Sequence, residues 1–201
     1  MNLSARVISY IFHPLLMPTL GLLILLNSGT YISLLDPAAK RAILFVMALG
    51  TLLFPLIMLP VFHYRNLVTD VRNTSREERL IPMLIILILY IITFVYFIRL
   101  PLSKIIHSYV LSITLSLLFL LLISLRVNLS SHMTALGGLT GLVIALILLY
   151  GTPLVGILLI TLLVSGLTGT ARLWLREHRS VEIYSGYLLG FTVVLATLLI
   201  Y

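Results

Sequence analysis

Long apolar runs separated by short polar segments set the pattern of this chain. The runs lie at approximately 7–28, 42–62, 82–100, 107–125, 133–150, 153–171 and 183–201, near the roughly 20 residues a helix needs to cross a hydrocarbon layer. They are rich in Leu and Ile and lack the alternation of a barrel strand, so helices are predicted. The predicted fold class is all-α: a polytopic transmembrane helix bundle, built as a single integral membrane domain over 1–201. The count is six or seven spans, because the first run is interrupted. Its stretch "IFHPLLMPTLG" carries His13, Pro14 and Pro18, and each proline removes a backbone donor and kinks or breaks a helix. That run is a bent span, a re-entrant half-helix or an interfacial segment.

The polar connections are 29–41, 63–81, 101–106, 126–132, the tight "YGTP" turn at 150–153, and 172–182. Alternate crossing puts 63–81, 126–132 and 172–182 on one membrane face, whether or not the first run spans. With Arg6, these segments hold Arg65, Arg72, Arg76, Arg79, Arg126, Arg172, Arg176 and Arg179, and the other face holds Lys40, Arg41, Arg99 and Lys104. The positive-inside rule makes the Arg-rich face cytoplasmic. A phosphate site, however, gathers arginines on whichever face it occupies, and discounting such ligands leaves the rule little power. Almost no ionisable side chain falls inside a run, which argues against an ion-coupled transporter. Gly137, Gly138 and Gly141 in one run, with Gly166 and Gly169 in the next, predict close helix contact.

Composition sharpens the class. The chain is 61% hydrophobic and 9% charged, far too little polar surface to cover a soluble core of this size. A net charge of +7 in a soluble protein would suggest nucleic acid. Here the cations lie between the runs or at their ends, so the expected partners are membrane lipids and a phosphate-bearing substrate, with no nucleic acid. Cysteine is absent, which excludes disulfides and thiolate metal sites. The N-terminal run has one Arg before it and no small-residue cleavage pattern after it, and is read as retained.

Three polar segments carry candidate chemistry. In "ARLWLREHRSVEIYSGYLLG", His178 and Glu182 are four residues apart and share a helix face. A carboxylate bonded to one imidazole nitrogen fixes the tautomer and frees the other as nucleophile or base. Arg172 lies six residues before His178, so the two converge only if the helix breaks between them. In "RVNLSSHM", Ser130, Ser131 and His132 directly precede a Gly-rich run. Hydroxyls and free N–H groups at a helix start form a phosphate cradle, and His132 there is placed to donate a proton to a leaving oxygen. In "TDVRNTSREERLIP", Arg72, Arg76 and Arg79 supply planar forks that match phosphate oxygens. Taken singly, the three are also compatible with a solvated charge cluster, an N-cap and a basic headgroup-surface stretch.

Together, and in this order, the segments resemble the three signature motifs of the type-2 phosphatidic acid phosphatase (lipid phosphate phosphatase) superfamily. Its patterns are K-x6-R-P, P-S-G-H and S-R-x5-H-x3-D. Here Arg72 and Arg79 keep the first spacing, with the proline displaced to Pro82; Leu129-Ser130-Ser131-His132 stands in the second; Ala171-Arg172-x5-His178-x3-Glu182 keeps both spacings of the third. The resemblance implies a phosphatase that needs no metal or other cofactor and acts on a lipid phosphate or pyrophosphate, such as a polyprenyl pyrophosphate or a phospholipid phosphate. In it His178 is the nucleophile, Glu182 orients it, and His132 is the acid and then the base. Arg72, Arg79 and Arg172 with Ser130 hold the phosphate; Ser131 lies in the same cradle, and Arg76 competes for the roles in the first motif. The resemblance also implies a bacterial cytoplasmic membrane with the site on its outer face. Departures at Ala171, Ser131 and Glu182 support one alternative, a lipid-binding or lipid-translocating protein without turnover; a lipid phosphotransferase is a second.

Overall fold

Two prolines decide how the chain begins. Pro14 and Pro18 cannot donate to a helical ladder, and the run expected at 7–28 is accordingly two helices, Asn2–Ile11 (α1) and Met17–Leu26 (α2), joined by a break. Pro18 falls at the start of α2, where its missing N–H has no helical partner to lose. Inside the break the Leu15 N–H donates to His13 Nδ1 at 3.3 Å, and the Leu16 N–H to the His13 carbonyl at 3.0 Å.

The computed structural model describes residues 2–58 and 76–200, and among them are eight helices and no strand. After α1 and α2 come Pro37–Met58 (α3), Arg76–Ile98 (α4), Lys104–Ser124 (α5), Ser131–Tyr150 (α6), Val155–Trp174 (α7) and Ser180–Ile200 (α8). The last six each contain a stretch long and apolar enough to cross a membrane, and α2 is shorter. The all-α transmembrane architecture expected from the runs is the one observed. Of the segment 63–81, expected as a loop, residues 76–81 are helical, so Arg76 and Arg79 stand in the first turns of α4.

Burial is distributed as a bilayer solvent requires. Leu148, Leu159, Leu163 and Leu188 are each more than half exposed, an apolar outer surface that lipid, not water, covers. The centre of the bundle is α6, whose apolar stretch is 67% buried against 22–50% for the other five spans. Its principal neighbour is α8. The approach is close enough that a Cβ on Gly137 would run into the Tyr187 carbonyl, and one on Gly190 into that of Thr134. Small residues let the two backbones meet where apolar lipid supplies no hydrophobic drive. The glycine contact expected between neighbouring runs is therefore made with the last helix. Gly166 of α7 faces open space.

Helix ends are finished by local chemistry. Asp36 caps α3, its carboxylate accepting the Ala38 and Ala39 N–H groups at 2.8 and 3.2 Å. At the far end of the bundle the rings of Tyr31 and Tyr150 meet edge to face at 6.0 Å. The start of α6 lies at the other end, where the break between α1 and α2 meets it: the His13 and His132 rings are 5.8 Å apart.

Candidate active site

Arg172 and His178 lie on opposite sides of a helix stop. The chain leaves α7 through Leu175, and Arg176 adopts the left-handed conformation at φ 55°. The Glu177 N–H then reaches back to the Arg172 carbonyl at 3.3 Å, and the Arg176 N–H to that of Leu173 at 3.0 Å. This is a Schellman motif, with arginine where glycine is usual. It reverses the chain sharply enough to pair the Glu177 carboxylate with the Arg172 guanidinium. The break that the spacing required between Arg172 and His178 is this turn.

From Ser180 the chain re-enters helix, and Glu182 acts twice through one oxygen. Its Oε2 accepts the Arg179 amide N–H at 3.1 Å, the carboxylate half of a capping box at the start of α8. The same Oε2 accepts the His178 Nδ1–H at 3.0 Å. The His178 side chain is 8% exposed and that of Glu182 18%. With Nδ1 committed as donor, the Nε2 lone pair of His178 is free. Burial lowers the His178 pKa; the bond to Glu182 works upward, the Arg172 charge downward, and the net shift is downward. The ring is thus neutral and nucleophilic near neutral pH.

The second segment is tied to the third through the backbone. The Ser130 N–H donates to the Glu182 carbonyl at 3.2 Å, and α8 carries Gly186 where it passes the Ser130 carbonyl. Ser130 is the N-cap of α6, yet its hydroxyl does not cap the helix. It is fully buried and has no hydrogen-bond partner. His132, two residues on, donates from Nε2 to the Ser9 carbonyl at 3.2 Å, because a carbonyl oxygen can only accept. Its Nδ1 is left buried and without a partner, as is Nε of Arg172. A hydroxyl, an imidazole nitrogen and a guanidinium N–H are thus desolvated and unused at one end of the bundle. Each such group costs about 1–3 kcal/mol if nothing pairs with it, a cost expected where a polar ligand belongs.

Below them opens a cavity of about 260 Å³. His13, Ser131 and His132 line its polar end; Met83, Ile86, Tyr90, Leu117 and Leu120 of α4 and α5 form much of the apolar wall.

Of the sequence-derived candidates, Arg172, Ser130, Ser131, His132, His178 and Glu182 gather at this end. Arg72 lies outside the described residues. Arg76 and Arg79 are placed by their backbone at the start of α4, which adjacent antiparallel packing on α5 brings to the same end. Glu177, without a role in the sequence pattern, is the partner of Arg172. In the sequence His13 stands out only as part of the interruption of the first run. An imidazole immediately before proline inside an apolar run was the available signal. Among the described residues no group of three His, Asp or Glu side chains is arranged to hold a metal ion. No family model matches this chain, and no curated protein or solved structure matches it.

Proposed function

We propose that this protein is a membrane-embedded lipid phosphate or pyrophosphate phosphatase that works through a phosphohistidine. The observation that carries the proposal is the Glu182–His178 pair, with its free Nε2, joined through the Ser130–Glu182 backbone bond to a buried hydroxyl and imidazole that lack partners. The motif resemblance points to the same residues.

In the first step His178 Nε2 attacks phosphorus and the bond from phosphorus to the lipid oxygen breaks. His132, protonated at Nδ1, gives that proton to the leaving oxygen. Glu182 stabilises the imidazolium formed at His178. Arg172 and Ser130, with Arg72 and Arg79 from the first motif, hold the equatorial oxygens as charge spreads over them. In the second step neutral His132 takes a proton from water, whose oxygen attacks phosphorus. The phosphorus–nitrogen bond breaks, inorganic phosphate leaves, and His132 is again protonated. A lipid substrate suits the site because its tail can stay in the apolar cavity while its phosphate reaches the bundle end. The resemblance adds a bacterial cytoplasmic membrane, with the site on its outer face.

The test is phosphate release by purified protein from lipid phosphates and diphosphates, with chelator present and with vanadate as inhibitor. His178→Ala is expected to abolish release and the acid-labile, base-stable phosphoenzyme. Release that survives this substitution rejects the nucleophile. The departures from the motifs at Ala171, Ser131 and Glu182 favour a second reading, a lipid-binding or lipid-translocating protein without turnover. Tight lipid binding with no release under any condition would establish that reading instead. Transfer to added alcohols would identify a phosphotransferase.

A further inference from the structure

The break between α1 and α2 contributes a third imidazole that the phosphatase motifs do not use. The His13 and His132 rings meet edge to face at 5.8 Å, and both line the cavity. The Leu15 N–H donates to His13 Nδ1 at 3.3 Å. In the neutral ring that bond leaves the proton on Nε2, at the edge away from the backbone. Burial and the nearby Arg172 charge lower the His13 pKa, so the ring stays neutral and its Nε2–H is a fixed donor. The break itself is built from Pro14 and Pro18, which hold the turn without helical N–H groups of their own.

Position along the site assigns the donor a task. The cavity wall includes His13, Ser131 and His132 but not His178. Displacement at phosphorus runs roughly in line, with nucleophile and leaving oxygen on opposite sides. With His132 as the acid that meets the leaving oxygen, a group displaced by His178 departs on the His132 side, where the cavity opens. If that group is a lipid alcohol, apolar walls suffice. If it is a lipid monophosphate, left by a diphosphate substrate, a second anion must be held beyond His132. The imidazole of His13, 5.8 Å from that of His132 on the same wall, offers a donor there. Resting on the phosphatase reading, we infer that His13 binds the second phosphate and makes this site selective for lipid diphosphates over lipid monophosphates.

The experiment compares farnesyl diphosphate with farnesyl monophosphate on the full-length protein in detergent. His13→Asn keeps an acceptor oxygen in place of Nδ1 for the Leu15 N–H, but loses the outer donor. His13→Gln presents an amide N–H near the position of Nε2. The ratio of kcat/KM for diphosphate to that for monophosphate is expected to fall about 10- to 100-fold in His13→Asn, the size of one hydrogen bond to a charged oxygen. His13→Gln is expected to recover a large part of it. An unchanged ratio in His13→Asn, or an equal loss on both substrates, overturns the inference. Affinities for the two lipids in a His178→Ala background read the same preference without chemistry. If the wild type releases phosphate from neither lipid, the phosphatase reading fails and those affinities still decide the role of His13: a loss specific to diphosphate upholds it, and none overturns it.

Discussion

Replacing Glu182 by glutamine separates two jobs that one oxygen performs. In the folded protein Oε2 accepts the His178 Nδ1–H at 3.0 Å and the Arg179 amide at 3.1 Å. The glutamine carbonyl has the same reach and can accept both, so the start of α8 keeps its cap and only the charge is lost. That charge matters when Nε2 bonds to phosphorus and the ring becomes cationic. At 3.0 Å and an effective dielectric of about 20, the bare attraction is about 5–6 kcal/mol, an upper bound. The pair is partly exposed, and hydrogen bonds to charged groups contribute about 1.5–3 kcal/mol in practice. The smaller figure governs, so kcat for phosphate release is expected to fall about 10- to 100-fold. The unfolding midpoint should barely move, whereas Glu182→Ala, which also loses the cap, should destabilise by on the order of 1 kcal/mol. The pH profile supplies a second readout. Glu182 raises the His178 pKa against burial and Arg172, so removing its charge lowers that pKa further. The neutral ring is the nucleophile, and activity is lost as pH falls through its pKa. The acid limb should therefore move to lower pH in Glu182→Gln. Undiminished kcat, or an acid limb displaced upward, refutes the orienting role.

Other substitutions probe the frame around the site. Arg176→Gly removes a Cβ from a left-handed residue at φ 55° and should stabilise by about 1 kcal/mol; a lower unfolding midpoint in detergent would count against the strained turn. Gly190→Ala drives a methyl into the Thr134 carbonyl and should destabilise by about 1–3 kcal/mol. Gly166→Ala, in open space, serves as its control and should be neutral or slightly stabilising; equal effects at the two sites would reject the α6–α8 contact as the critical one. Tyr109→Phe removes a 2.9 Å bond to the Pro18 carbonyl and should destabilise by about 1–2 kcal/mol, measured by the same unfolding assay.

The four-residue step from His178 to Glu182 made the pair legible, and the hydrogen bond forms, but not on a shared helix face. His178 lies before the N-cap Arg179, and only Glu182 is in α8. Other parts were hidden because they depend on backbone geometry or on chain-distant neighbours. The dual use of Glu182 Oε2 requires Arg179 to be the N-cap, a matter of where α8 begins. The partner of Arg172 is set by a left-handed turn at an arginine, a conformation that residue type disfavours. The approach of His13 to His132 joins positions more than a hundred residues apart, and no local pattern encodes it.

Apolar run length and the placement of prolines determined, from sequence alone, that the described chain is helical, that six or seven of its runs can span, and that the first run is interrupted; the structure decided for six. Those properties are local: a run of apolar side chains in lipid must satisfy its own backbone, and proline withdraws a donor wherever it stands. The tertiary structure alone decided which helices touch, that α6 is central, and that the glycines of α6 serve α8. It also decided that a fully buried serine hydroxyl and a His132 nitrogen are left without partners above an apolar cavity. Packing sets these features because desolvation and hydrogen-bond satisfaction depend on what every other helix brings to the same place.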